Sequence, residues 1–172
     1  MEHLRTKLQL KDDSDLSVTY QMNKFEGIFN WYPYTEGFSR FFVERMINYY
    51  GITKQNLVLD PFGGCGTTPL TCKIDGINSI SIEVNPFMNF VSKIKLNSLE
   101  LGISDLRNLC FMLKNVINTN KNINPLIPHF LFNKNFFNES NLKQACIIKK
   151  SINELDTSQY YKDFFLLVIC SL

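Results

Sequence analysis

The stretch Asn56-Leu57-Val58-Leu59-Asp60-Pro61-Phe62-Gly63-Gly64-Cys65-Gly66-Thr67-Thr68 constrains the fold of this chain more than any other. Leu57, Val58 and Leu59 form a short apolar run of the kind that fills a parallel strand. Asp60 falls where that strand should end, which puts a carboxylate at the carboxyl edge of a sheet. Gly63, Gly64 and Gly66 allow a tight turn and let a ligand lie against the backbone without a Cβ in the way. Thr67 and Thr68 are helix-capping residues, and Pro69 suits a first helical turn. In open α/β sheets, ligands bind in the crevice at this edge.

Two nucleotide loops fit the stretch poorly. A phosphate-binding loop needs a Lys after its last Gly, and Thr67 stands there. A dinucleotide fingerprint needs G-x-G-x-x-G, whereas the spacing here is G-G-x-G behind an Asp. The stretch instead resembles the D-P-F-x-G-x-G-T-T signature of S-adenosylmethionine-dependent amino-methyltransferases, enzymes that methylate exocyclic nitrogens of DNA bases. The plain alternative is a glycine-rich turn with no ligand.

Upstream, residues 1–23 are polar and without period, and read as a loose N-terminal arm. Asn30 to Ser39 is an aromatic loop containing Trp31, Pro33, Gly37 and Phe38. Ser39 is placed to cap a helix from Arg40 to about Tyr50, ended by Gly51. The loop reads either as a hydrophobic cover on the sheet or as a lid over the methionine end of a cofactor. In the family resembled, a segment just upstream of the glycine loop does the latter, and the Trp31–Ser39 pattern is similar to it.

Downstream, a helix should run from about Thr68 to Ile74 and stop at Asp75-Gly76. Ser79 to Val84 alternates like a strand, with Ile80, Ile82 and Val84 on one side. Glu83 lies 23 positions after Asp60. An acidic residue about 20 positions past the first turn accepts ribose hydroxyls in dinucleotide folds, and the same geometry suits an adenosine ribose. Asn85-Pro86 opens another helix, with Phe87, Phe90, Val91 and Ile94 on its apolar face and Lys93 and Lys95 off it. Asn85-Pro86-Phe87 resembles a shortened [D/N/S]-P-P-[Y/F/W] catalytic motif. It lacks the second Pro and follows the second strand, so that reading is rejected.

Ser104-Asp105 should cap a further helix. Residues 118–135, Asn-rich with Pro125 and Pro128, read as a connection, and a helix follows from about Glu139 to Leu155. Tyr160 to Leu172 reads as a buried helix or a strand, broken off without a cap. The lysines Lys121, Lys134, Lys149 and Lys150 read as solvated.

The 172 residues suffice for one domain with a core, and the net charge of +2 neither demands nor excludes a nucleic-acid partner. Five scattered cysteines without a C-x-x-C pair argue against a disulfide framework or a zinc site and for a reducing cytosol. No apolar run approaches the ~20 residues of a membrane span, and the polar start shows no signal peptide. The expected location is cytoplasmic.

The resemblance implies an α/β chain with a Rossmann-like methyltransferase fold, an incomplete parallel sheet flanked by helices over residues 24–172. It implies S-adenosyl-L-methionine as cofactor, DNA as partner, and a setting in DNA methylation and restriction–modification. Carried over by position, the cofactor-binding set is Trp31, Phe38, Asp60, Pro61, Phe62, Gly63, Gly64, Gly66, Thr67, Thr68, Glu83 and Asn85, with no catalytic residue and no metal. No Pro-Pro-aromatic stands anywhere in the sequence. Three readings stay open. One is a DNA amino-methyltransferase part, truncated or split from a companion polypeptide that carries the catalytic motif. Another is an RNA methyltransferase on the same scaffold. The last is a non-catalytic relic that binds cofactor or partner.

Overall fold

A computed structural model describes residues 18–127 and 138–171. The chain divides into two compact units, one ending at Leu96 and the other starting at Asn97.

The first unit opens with two 3-10 turns, Tyr20–Phe25 and Gly27–Asn30. Residues 20–23, expected to belong to the N-terminal arm, are part of the core: Tyr20 and Asn23 are buried. Helix α1 (Arg40–Tyr49) follows. Ser39 caps it as expected, its Oγ accepting from the Phe42 N–H at 3.1 Å. Val43 and Ile47 on α1 pack with Cys72 and Ile77, and Phe38, Ile52 and Val58 lean on that cluster.

Strands β1 (Leu57–Asp60) and β2 (Asn78–Ser81) flank helix α2 (Thr67–Asp75) and pair in parallel, with Leu59 opposite Ile80 and Asp60 opposite Ser81. Regular pairing ends at Ser81 rather than Val84. Two main-chain bonds continue it toward the glycine loop: Ile82 N–H donates to Asp60 O, and Gly63 N–H to Ile82 O, both at 2.9 Å.

The expectation that β1 is a buried strand is corrected. Successive side chains point to opposite faces, and only the Val58 face meets the core. Leu57 and Leu59 are 61% and 60% exposed, and Ile80 beside Leu59 is 49% exposed. An apolar run of this length fits a strand covered on either one face or both, and the sequence does not distinguish them.

Helix α2 starts directly behind Gly66, and no side chain caps it. Thr67 and Thr68, expected as caps, are buried in its first turn instead. Helix α3 (Pro86–Asn97) is capped as expected by Asn85, whose Oδ1 accepts from Phe87 N–H at 2.9 Å and Met88 N–H at 3.3 Å. One residue of α3 departs from its expected face: Lys95, read as lying off the apolar stripe, is 1% exposed.

The second unit holds helices α4 (Ile103–Asn120), α5 (Glu139–Glu154) and α6 (Gln159–Cys170). Leu109, Leu113, Ile152, Leu155 and Phe165 make its core. Helix α4 begins behind Gly102 without a side-chain cap, so Ser104 and Asp105 lie inside its first turn. Asn120 Nδ2 donates to Ser151 Oγ at 3.1 Å and to Glu154 Oε2 at 2.7 Å, tying α4 to α5. Residues 128–135 of the expected connection, and Leu172, lie outside the described residues. The final apolar segment is a helix, not a strand.

The described residues are therefore helix-rich with a small parallel sheet, compatible with an α/β fold. No helix among the described residues is long and apolar enough to cross a membrane.

Candidate functional site

The site is built where β1 runs out. Asp60, 8% exposed, turns one oxygen back on its own loop: Oδ1 accepts from the Phe62 N–H at 3.0 Å. The other oxygen, Oδ2, is buried and accepts no hydrogen bond among the described residues. A buried acceptor without a donor is costly. Pro61 and Phe62 project outward beyond it, Phe62 being 86% exposed.

The glycines are required by the protein's own packing. A Cβ on Gly63 would overlap Ser81 Oγ, and one on Gly66 would overlap Ser92 Oγ on α3. Gly66 N–H closes the turn onto Gly63 O at 2.9 Å. The loop is thus pressed against the end of β2 on one side and α3 on the other. Cys65 is buried between them, with Sγ 4.0 Å from Thr67 Oγ1.

Glu83 binds the two ends of this arrangement together. Its Oε2 accepts from the Gly64 N–H at 2.7 Å and its Oε1 from the Asn85 N–H at 2.6 Å. A carboxylate has about four lone-pair sites, so each oxygen keeps acceptor capacity after these bonds. Glu83 lies two residues past the end of β2, and the spacing from Asp60 was the signal in the sequence.

The aromatic segment forms a second wall. The Tyr34 ring lies against the loop: a Cβ on Gly64, whose φ is +50°, would be 3.1 Å from Tyr34 Cε1. Burial, and then the Glu36 and Glu83 carboxylates, hold the Tyr34 phenol above its ordinary pKa. Tyr32 meets Phe87 at the start of α3 edge-on, with ring centroids 5.3 Å apart. Tyr34 belongs to the Trp31–Ser39 pattern, but the cofactor-binding set read from the sequence took Trp31 and Phe38 from this segment and neither tyrosine. Trp31 is half-buried and follows the 3-10 turn Gly27–Asn30 as its C-terminal cap.

Phe38 is placed elsewhere. Its ring packs on Phe42, 5.5 Å between centroids, and lines an apolar cavity of about 250 Å³ with Val43, Ile47, Leu57 and Thr68. That position joins it to the core cluster of α1.

Two buried polar side chains anchor the segment. Asn23 Nδ2 donates to Phe38 O at 3.1 Å, and its Oδ1 accepts from the Arg40 N–H at 2.9 Å. Lys95 Nζ donates to Phe29 O at 3.0 Å and to Tyr32 O at 3.3 Å. Tyr20 shares that last acceptor, its hydroxyl donating to Tyr32 O at 3.4 Å, and burial pushes its phenol up to about 12.

No protein-family model matches the sequence, and no solved structure matches it. Characterised relatives do. The chain is 43% identical over 89 residues to type II methyltransferase M.BsoBI of Geobacillus stearothermophilus, a match covering 52% of this chain and 18% of that protein. It is 32% identical over 95 residues to M.AvaI of a Nostoc species, covering 55% and 20%. It is 30% identical over 97 residues to M.MjaII of Methanocaldococcus jannaschii, covering 55% and 18%. About half of this chain is therefore homologous to type II methyltransferases, and it spans about a fifth of the length of the curated relatives it matches.

Proposed function

We propose that this chain, half of which is homologous to type II methyltransferases, is the S-adenosylmethionine-binding part of a DNA methyltransferase. The observation that carries the reading is the pair of carboxylates on the glycine loop. Asp60 Oδ2 is a buried acceptor with no donor of its own among the described residues, which suits the ammonium of the cofactor's methionine. Glu83, already fixed by two main-chain N–H groups, keeps acceptor capacity for ribose hydroxyls. The residues present therefore fit the cofactor. Gly63, Gly64 and Gly66 hold the loop between these two acceptors, Pro61 and the exposed Phe62 border it, and Thr67, Thr68 and Asn85 set the helices on either side. Trp31 belongs to the covering segment with Tyr32 and Tyr34. The strand, loop, helix and acidic strand correspond to the first unit of a Rossmann-like methyltransferase fold.

Bound S-adenosylmethionine supplies a methyl group activated by its sulfonium. This chain's residues hold the cofactor's two ends and shield it from water. Orienting the exocyclic amine of an adenine or cytosine is assigned to a Pro-Pro-aromatic motif outside these 172 residues, further along a longer chain or on a companion polypeptide, since none stands among them. The exposed row Leu57, Leu59 and Ile80 supports a further layer against the sheet from outside these 172 residues. The five free cysteines support a reducing, cytoplasmic setting.

Calorimetric titration with S-adenosylmethionine tests the reading. Saturable heat is expected from the folded chain and its loss from Asp60→Ala. A folded chain that gives no heat at millimolar cofactor would sink it. Radiolabelled methyl transfer to mixed-sequence DNA should be absent with this chain alone; turnover would return the amine-orienting role to residues present here, Asn85-Pro86-Phe87 first.

A further inference from the structure

Lys95 is buried to 1% exposure on a helix whose other lysine in the same stretch, Lys93, is exposed. Filling the core cannot be its purpose, because a Met or Leu would do so without removing an ammonium from water. Its acceptors are distributed in a particular way. Tyr32 O belongs to the aromatic segment and Phe29 O to the 3-10 turn that leads into it, either side of Trp31. The helix that carries Lys95 also meets the glycine loop, where a Cβ on Gly66 would overlap Ser92 Oγ. An ammonium has three donors, and two of them go to these main-chain carbonyls.

We propose that Lys95 is a positioning residue of the cofactor site, its ammonium tying the aromatic segment to α3, against which the glycine loop packs, so that the two walls keep a fixed separation. The inference rests on the cofactor reading above. Lys95 does not touch the cofactor in this account. It acts through the carbonyls of Phe29 and Tyr32, which fix the main chain on which Tyr32 and Tyr34 are carried. Tyr34 in turn lies on Gly64 and Tyr32 on Phe87, so a shift of the segment moves both contacts.

Protonation gives a readout that mere core packing would not. Burial lowers the Lys95 pKa from 10.5, against the opposing effect of Cys65. The ammonium is present below that lowered pKa, and one of its three donors is lost as pH rises through it. Two further titratable groups face it. Cys65 lies on the loop, and Tyr20 lies behind the shared Tyr32 carbonyl, with its phenol held to about 12 and so outside the window.

The experiment is calorimetric titration of the folded chain with S-adenosylhomocysteine, which keeps the cofactor's recognition groups and survives alkaline pH. It is run from pH ~7 to ~10 on the wild type, Lys95→Met and Lys95→Arg, then repeated on Cys65→Ser so that no thiol faces the ammonium. The ligand's own amine titrates alike in every series, so differences between profiles belong to the protein. Lys95→Met should bind on the order of tenfold more weakly near neutral pH, the scale of a lost charge-assisted hydrogen bond, and the wild type should converge on it as pH rises. Should Lys95→Met fail to fold, Lys95→Arg takes its place as a side chain that stays charged, and the wild type should weaken relative to it with rising pH. Binding by the wild type with profiles parallel to those of the folded variant would overturn the positioning role alone. Absence of binding by the folded wild type would overturn the cofactor reading, and the positioning role with it.

Discussion

The two walls of the site are made by opposite means. The glycine loop is held by its own neighbourhood in the sequence: Asp60 bonds Phe62, Gly66 bonds Gly63, and Glu83 bonds Gly64 and Asn85. The aromatic segment has little regular structure of its own beyond the 3-10 turn. It is held from outside by Asn23 and by Lys95, the latter 66 positions from Phe29. A wall whose turn is closed on its own main chain and braced by the carboxylates of Asp60 and Glu83 is rigid wherever the loop forms at all. A wall hung on two buried side chains has a position that single substitutions can release.

The largest effect should come from breaking the first wall at its tightest point. Gly66 has φ +88°, and a Cβ there would overlap Ser92 Oγ, with the Ser92 main chain directly behind. Gly66→Ala combines a left-handed backbone with overpacking, and together these should cost ~2–5 kcal/mol of stability. Chemical denaturation of the variant checks it. A change under ~0.5 kcal/mol would mean that the loop is looser against α3 than these contacts imply.

The second wall should yield to a substitution outside both site segments. Asn23→Ala leaves the Phe38 carbonyl and the Arg40 N–H without their buried partner. The expected cost is ~2–3 kcal/mol of stability, with faster amide exchange in residues 31–39 and unchanged exchange at Gly63–Gly66. Exchange that rises equally in both would show that the walls are not separately held.

This contrast also explains what the sequence disclosed. The strand–glycine–helix unit and the Asn85 cap were legible because each rests on residues a few positions apart, and the acidic residue after β2 because its spacing from Asp60 is a known one. Lys95 was misplaced because a lysine in an amphipathic helix normally faces water, and its acceptors lie in a segment that no local pattern connects to α3. Asn23 was hidden for the same reason within a stretch that reads as polar arm. Leu57 and Leu59 looked buried because an apolar strand does not reveal whether one face or two are covered. Thr67 and Thr68 looked like caps because their residue type prefers that place, whereas in the fold the turn at Gly66 begins the helix unaided. In the second unit the terminal helix was one of two readings its apolar run allowed, and the Asn120–Ser151–Glu154 link between α4 and α5 had no local signal.

A smaller effect distinguishes the two acceptors of the first wall. Glu83→Ala removes the bonds to Gly64 and Asn85 together with the proposed ribose acceptor. Cofactor affinity should fall by ~1–3 kcal/mol through lost charge-assisted hydrogen bonds, measured by calorimetry beside Asp60→Ala. Unchanged affinity in a folded Glu83→Ala protein would put the ribose elsewhere and leave Glu83 as a brace for the loop.

The smallest effect concerns the point at which the two walls meet. Tyr34 touches Gly64 with its ring, while its hydroxyl reaches outward to Glu36 Oε2 at 3.4 Å, an exposed and long hydrogen bond. Ring and hydroxyl therefore have separable roles. Tyr34→Phe keeps the surface pressed on the loop and gives up only a solvent-screened contact, so stability and cofactor affinity should each stay within ~0.5 kcal/mol of the wild type. Because the phenol's pKa is raised, it carries no charge near neutral pH, and the variant's affinity profile from pH ~6 to ~9 should superimpose on that of the parent. Tyr34→Leu, which loses the flat face over Gly64, should weaken binding more than Tyr34→Phe does. If the phenylalanine variant instead lost as much affinity as the leucine one, the hydroxyl would have to be a ligand contact. The aromatic wall would then recognise the cofactor chemically as well as cover it.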